Sequence, residues 1–344
     1  MNADGAKRGG GIPPLFSEQG RQIGWITAGA VAVYLAMRLL PTGTNLNHMD
    51  FRVTGRNSID FCDPLNPQFI PVVDVQSPVA MTIAMTGASR STSTMMGADM
   101  GRSAVLTLKT ASGKLIGAED LLVVHTRKLH LLIVDASLED YQHVHPTPGK
   151  IPGEWTFEFT PKRGGIYRVF ADFTPVATGR GLYANADVAV GATAAEDRGV
   201  KPLLQGGETA RVERSARPAV GPTGVTTGAV EREGVRFSLE PGARPVRAGQ
   251  TVDLKFAVTR ADGARVPLEP VMGAFAHLVA FDEGRRGFAH LHPMETDLLA
   301  PPDAVRPVLS FKITIPKAGR YVIWAQVNLG GRETFVPFWF DVAP

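Results

Sequence analysis

Two stretches of this chain repeat one another, and they constrain its fold more than any other feature. Leu129-His130-Leu131-Leu132-Ile133-Val134-Asp135 leads into Tyr141-Gln142-His143-Val144-His145-Pro146. Ala276-His277-Leu278-Val279-Ala280-Phe281-Asp282 leads into Phe288-Ala289-His290-Leu291-His292-Pro293. In both copies a lone histidine stands 13 residues before an H-x-H-P, and together they use six of the 8 histidines. Alternate residues of a strand share a face. An H-x-H on a strand therefore aims two imidazoles at one space, and a neighbouring strand can supply a third. Three convergent imidazoles are a common shell for zinc or copper.

The similarity extends beyond the histidines. Phe157-Glu158-Phe159-Thr160-Pro161-Lys162-Arg163-Gly164-Gly165-Ile166-Tyr167 aligns with Lys312-Ile313-Thr314-Ile315-Pro316-Lys317-Ala318-Gly319-Arg320-Tyr321, one residue shorter in the Gly turn. Self-similarity over roughly a hundred residues marks a duplicated domain. With Gly 37, Pro 26 and 44% hydrophobic residues, short strands joined by turns can build two cores. The strands expected in the first copy are Ile70–Val75, Val79–Met85, Ala104–Lys109, Leu121–Val124, Leu129–Asp135, Trp155–Thr160, Tyr167–Phe173 and Tyr183–Val190. In the second they are Val235–Leu239, Val252–Val258, Phe275–Phe281, Leu309–Ile315, Tyr321–Val327 and Thr334–Val342.

The run from Ile23 to Met37 is uncharged, and Leu39-Leu40 extend it past Arg38. A span needs about 20 apolar residues, down to about 17, and Arg38 can snorkel to an interface. Lys7, Arg8 and Arg21 precede the run, which places the N-terminus in the cytoplasm. No A-x-A cleavage site follows, so the expectation is an uncleaved anchor. The expected organisation is a cytoplasmic tail (1–20), a transmembrane anchor (21–41), a spacer (42–68), a first β-sandwich domain (69–192), a linker (193–229) and a second β-sandwich domain (230–344). The last four would lie on the periplasmic side of the inner membrane.

The combination H-L-L-I-V, H-V-H-P and P-K-R-G-G-I-Y-R-V-F-A-D-F resembles domains of bacterial envelope proteins labelled YtkA-like, FixH-like or heavy-metal-binding. The likeness spans about residues 100–190 and 235–344. It implies an all-β fold of two tandem immunoglobulin-like or cupredoxin-like sandwiches, and metal binding.

The candidate metal ligands are His130, His143 and His145 in the first copy and His277, His290 and His292 in the second. His125 stands five residues before His130, Met272 five before His277, and Met294 follows the second H-x-H-P. Thioethers select copper, so copper is the expected metal and zinc the alternative. The methionines Met81, Met85, Met95, Met96 and Met100 are a Cu(I) contact or ordinary packing, and Cys62 is a thiol ligand or a small buried hydrophobe.

Function classes narrow from here. A net charge of +3 with scattered basic residues argues against nucleic acid as a partner. A zinc hydrolase needs a general base, but Glu139 and Asp140 of the first copy are replaced by Arg286 and Gly287 in the second. Asp172 likewise becomes Gln326, and is read instead as orienting a ligating imidazole. The expectation is a non-enzymatic, membrane-anchored protein that handles or delivers a metal. The alternative is an assembly module that binds another envelope protein through sheet edges.

Overall fold

The computed structural model describes residues 18–39, 46–52, 67–75, 77–88, 101–191 and 228–344. Cys62, Met95, Met96 and Met100 lie outside the described residues, as does most of the expected linker. The N-terminal segment forms one helix, α1 (Glu18–Leu39), in a compact unit separate from the unit that runs from Leu46 to Pro344. Among the described residues no helix is long and apolar enough to cross a membrane. Arg21 and Arg38 confine its uncharged stretch to residues 22–37, short of the roughly 20 that a span requires.

The remaining unit is two all-β repeats. The first contains β1 (Val79–Ala88), β2 (Arg102–Thr110), β3 (Leu129–Val134), β4 (Tyr141–Val144), β5 (Thr147–Pro148), β6 (Glu154–Phe159), β7 (Gly165–Phe173) and β8 (Leu182–Val190). They form two sheets, ordered β1-β2-β6-β5 and β4-β3-β7-β8. The second contains β9 (Ala229–Arg232), β10 (Val235–Pro241), β11 (Val246–Arg247), β12 (Thr251–Arg260), β13 (Leu268–Glu269), β14 (His277–Asp282), β15 (Phe288–Leu291), β16 (Val308–Thr314), β17 (Gly319–Leu329) and β18 (Arg332–Ala343). Its sheets run β16-β12-β10-β9 and β11-β18-β17-β14-β15, with β13 on β17. The β4-β3-β7-β8 order of the first repeat thus recurs as β15-β14-β17-β18.

Burial explains the two kinds of strand. On β6, Trp155, Phe157 and Phe159 are buried while Thr156 and Glu158 are exposed, as expected where one face meets solvent. Every residue of β3 is buried. Leu129, Leu131 and Ile133 enter the first repeat's own core, alongside Leu106, Trp155 and Val169. Leu132 and Val134 enter a third core, shared with Val279, Phe281, Phe288, Val322 and Trp324 of the second repeat. The two inner sheets therefore press together face to face. The contacts are reciprocal: Phe170 packs on Phe288 at 5.3 Å, and its counterpart Trp324 packs on Tyr141 at 5.8 Å. Arg168 donates to the Arg285 carbonyl at 2.9 Å, and Arg285 to the Ile166 carbonyl at 2.9 Å.

Two expected strands are absent. Leu121 and Val124 make only isolated bridges. Residues 70–75 form a bridge and a turn, and they bond to the second repeat rather than the first. The Ile70 amide donates to the Phe288 carbonyl at 2.7 Å, the Val73 amide to the Arg286 carbonyl at 2.9 Å, and Asp74 pairs with Arg286. Phe69 packs edge-on against Tyr321 at 5.3 Å. This strap crosses to the second repeat and closes the shared core with Ile70 and Val72.

The strap needs Gly287, where a Cβ would sit 2.0 Å from the Ile70 carbonyl oxygen. Gly287→Ala should therefore cost about 1–3 kcal/mol, read as a lower urea midpoint. An unchanged midpoint would mean that the strap is not seated there.

Candidate metal centre

Each lone histidine and its H-x-H are joined by a hairpin whose loop is set by an aspartate. Asp135 accepts from the amides of Glu139 and Asp140 through one carboxylate oxygen, at 3.0 and 2.9 Å. Asp282 accepts from those of Arg286 and Gly287 in the same way, at 2.7 and 2.9 Å. The capped loops place His143 opposite Leu132 and His290 opposite Val279. His130 lies two residues from Leu132 on β3, so it shares a face with His143 and His145. In the next strand His130 is paired with Asp172, and His277 with Gln326. In each triad one nitrogen per histidine lies within 4.8 Å of the other two. The two groups open onto the shared face between the repeats.

Hydrogen bonds fix the tautomers of two members of the first triad. His130 Nε2 is 3.1 Å from the Val124 carbonyl, which can only accept, so Nε2 carries the proton and Nδ1 is bare. His143 Nδ1 is 2.9 Å from Gln326 Oε1, and Gln326 Nε2 donates to Glu333 at 2.8 Å. That second bond sets the amide's orientation, so His143 Nδ1 must donate and its Nε2 is bare. These two bare nitrogens face each other at 3.2 Å. Two lone pairs that close repel unless a cation lies between them. Two nitrogens bound at about 2.0–2.1 Å with a tetrahedral angle would stand about 3.3 Å apart. The observed separation fits a shared metal ion.

In the second triad, Asp172 of the first repeat reaches across to His290 Nδ1 at 3.0 Å. His290 Nε2, both nitrogens of His277, His292 Nε2 and, in the first triad, His145 Nε2 are buried without a hydrogen-bond partner. Leaving a buried polar group unsatisfied costs about 1–3 kcal/mol. Each of these four neutral rings can offer one lone pair, which suits a ligand that accepts lone pairs.

Burial keeps these rings neutral. It lowers His130 to about 4 and His145 to about 3, and neighbouring imidazoles add to the effect. His143, His277, His290 and His292 are held well below the ordinary imidazole value, again mainly by burial. Burial raises Asp172 to about 7. Below about pH 7, His290 and Asp172 therefore meet as a neutral hydrogen bond when no ion is bound. A cation on Nε2 would favour the carboxylate form, with Nδ1–H donating to it.

The remaining candidates occupy different surroundings. His125 and Met272 hold equivalent first positions in two-residue turns closed by Val124–Arg127 and Val271–Ala274, both with positive φ (49° and 51°). His125 stacks on His292 at 3.5 Å with an interplanar angle of 15°. An imidazole donates in its ring plane, so His125 cannot share the ion that His292 would hold. Met272 is half-buried, and Met294 is exposed with its amide bonded to Ser310. Met81 belongs to the first repeat's core. Glu139 pairs with Arg163, and Asp140 accepts from the Lys162 amide and the Tyr167 hydroxyl at 2.7 Å. Neither carboxylate is free to act as a base. The braces Asp135 and Asp282 were readable in the sequence, since each ends the apolar run five residues after its lone histidine.

The architecture is a tandem pair of β-sandwich repeats with a histidine cluster between them. The chain belongs to the family described as Domain of unknown function (DUF8832), matched over residues 86–191 and again over 229–344. The YtkA-like and FixH-like resemblance gives way to that family. No curated protein matches the sequence. Among solved structures, the Escherichia coli adhesin FdeC is 13% identical, with 77% of this chain and 64% of that chain covered and a TM-score of 0.21. The alpha-2-macroglobulin of E. coli is 12% identical over 77% of this chain and 17% of that one, with a TM-score of 0.21. Fibronectin(III)-like modules of Clostridium thermocellum CbhA are 10% identical over 76% and 94%, with a TM-score of 0.17. At such scores the fold rests on the strand pairing itself.

The shifts set the direction of the pH dependence. A histidine whose folded value lies below the ordinary value of about 6.5 binds its proton more readily when unfolded. Its stabilising contribution is complete above about 6.5 and is lost as pH falls toward the folded value. Asp172 acts oppositely, costing stability as pH rises toward about 7, but it is one group against six. One pH unit below 6.5, each fully shifted histidine costs about 1.4 kcal/mol. The metal-free protein should therefore melt more than about 5 °C lower at pH 5.5 than at pH 7.5. A flat profile would contradict the buried, neutral cluster.

Proposed function

We propose that this chain is a non-catalytic metal-binding protein of the cell envelope, holding transition-metal ions in its paired three-histidine groups for metal handling or delivery. The observation that carries the reading is the pair of bare nitrogens, His130 Nδ1 and His143 Nε2, facing each other at 3.2 Å with both tautomers fixed. The residues that would hold an ion are His130, His143 and His145, and His277, His290 and His292. Copper is the metal we favour over zinc. Imidazole suits both, and copper stands higher in the general order of affinities. Glu139 and Asp140 are engaged in an ion pair and loop contacts and Asp172 braces His290, which favours storage or transfer of an ion over hydrolysis.

Attachment to the inner membrane through α1 belongs to the same proposal. Ile23, Trp25, Ile26, Val31, Val33, Tyr34 and Leu35 are all exposed along it, and an apolar surface of that kind favours a lipid interface. The protein should sediment with membranes, and deletion of residues 18–39 should release it. A full-length protein that stays in the soluble fraction would end this part of the reading.

Metal content of the purified chain tests the rest. It should bind about two equivalents of copper, and replacing both His143 and His145 by Ala should remove about one. Binding should weaken as pH falls below about 6.5, where protons compete for imidazole. Absence of saturable binding of Cu(I), Cu(II) and Zn(II) would overturn metal handling and favour an assembly module.

A further inference from the structure

We infer that the six histidines form one paired-metal centre with unequal halves, rather than two independent sites. The inference rests on the metal-binding reading and goes beyond it, to how the two ions would be held together. Spacing is the first observation. Within the first triad the ring centroids lie 5.4, 4.9 and 4.8 Å apart, and within the second 5.6, 4.8 and 4.7 Å. Across the repeats, His143 lies 5.1 Å from His290 and His130 lies 5.5 Å from His290. At its nearest approaches the gap between triads is no wider than the gaps inside them.

The second observation is that each repeat positions the other's ligand. Gln326 of the second repeat holds His143 at 2.9 Å, and Asp172 of the first holds His290 at 3.0 Å. Gln326 and Asp172 stand at equivalent places, each paired across a strand with its own repeat's lone histidine. Each triad takes the brace of one imidazole from the opposite repeat, so both sites are held in this form only when the repeats are closed on each other.

The third observation is a difference in charge. Gln326 is neutral, and its amide group is tied to Glu333. Asp172 can carry a negative charge, and a carboxylate behind an imidazole makes that imidazole a stronger donor. The half that contains His290 therefore holds a divalent ion more tightly than the half that contains His143. Gln326 and Asp172 are positioning residues: they act through an imidazole and do not touch the ion.

Electron paramagnetic resonance of the full chain titrated with Cu(II) tests this. At one equivalent the spectrum should be that of a single isolated ion. At two equivalents it should show dipolar broadening and a half-field transition. Asp172→Asn should weaken one of the two affinities about 10–100-fold and leave the other within about 2-fold. Gln326→Glu combined with Glu333→Gln, which keeps a donor opposite the new carboxylate, should bring the two affinities together. Circular dichroism and melting of each variant confirm that it is folded. Two equivalents with a spectrum that is the plain sum of isolated ions would overturn the pairing while leaving metal binding intact. Two affinities weakened equally by Asp172→Asn would overturn the inequality. No saturable Cu(II) binding would instead sink the underlying metal reading.

Discussion

The contact on which the rest depends is the apolar face shared by the two inner sheets. Leu132, Val134 and Phe170 meet Val279, Phe281 and Trp324, and the strap residues Ile70 and Val72 seal the edge. The hydrophobic effect drives this closure without specifying any chemistry. Its consequence is chemical because His130 and His277 occupy the next outward-facing positions of the same strands. Pressing the faces together buries His130, His143 and His277 and half-buries His145, His290 and His292, and His277 is left with none of its surface exposed. Rings that would titrate near neutrality on a surface are kept neutral, with their lone pairs directed into one space.

Backbone regularity then does the aiming. A strand repeats its direction every two residues, so H-x-H cannot avoid converging once β4 and β15 form. The loops before them are fixed by Asp135 and Asp282, which explains why the lone histidine stands 13 residues upstream in both copies. A further repeated device lies at the Pro-Lys and Gly turn. Tyr167 accepts from the Arg163 amide at 3.1 Å and Tyr321 donates to the Lys317 carbonyl at 2.9 Å, each tying its ring to the turn before β7 and β17.

Much of this was legible in the sequence because it is local. Period-two burial, the duplicated histidine spacing and the Pro, Gly and Tyr pattern depend on neighbours along one or two strands. What was not legible depends on how the repeats meet. Residues 70–75 read as a strand, and nothing in their side chains announces that their hydrogen bonds go to Phe288 and Arg286. Asp172 was expected to orient a histidine, but the one it holds, His290, is 118 residues away in the other repeat. His125 stood at a ligand's spacing, yet its positive-φ turn carries the ring flat onto His292. The helix was readable from its apolar run, while its capacity to span a membrane was overstated by counting past Arg38.

The reciprocal bracing of His143 by Gln326 and of His290 by Asp172 bears on why two repeats share one chain. Two identical subunits meeting through this surface would be bound by their symmetry. Whatever residue braced one histidine would brace its mate, and the halves would have to be the same. Joining the copies covalently lifts that restriction, because each can mutate without its twin. Amide and carboxylate, and likewise imidazole and thioether at 125 and 272, have separated at matching positions while the surface that unites them has kept its shape. Fusion thus gives this molecule what a homodimer cannot have, a left hand and a right hand at one seam.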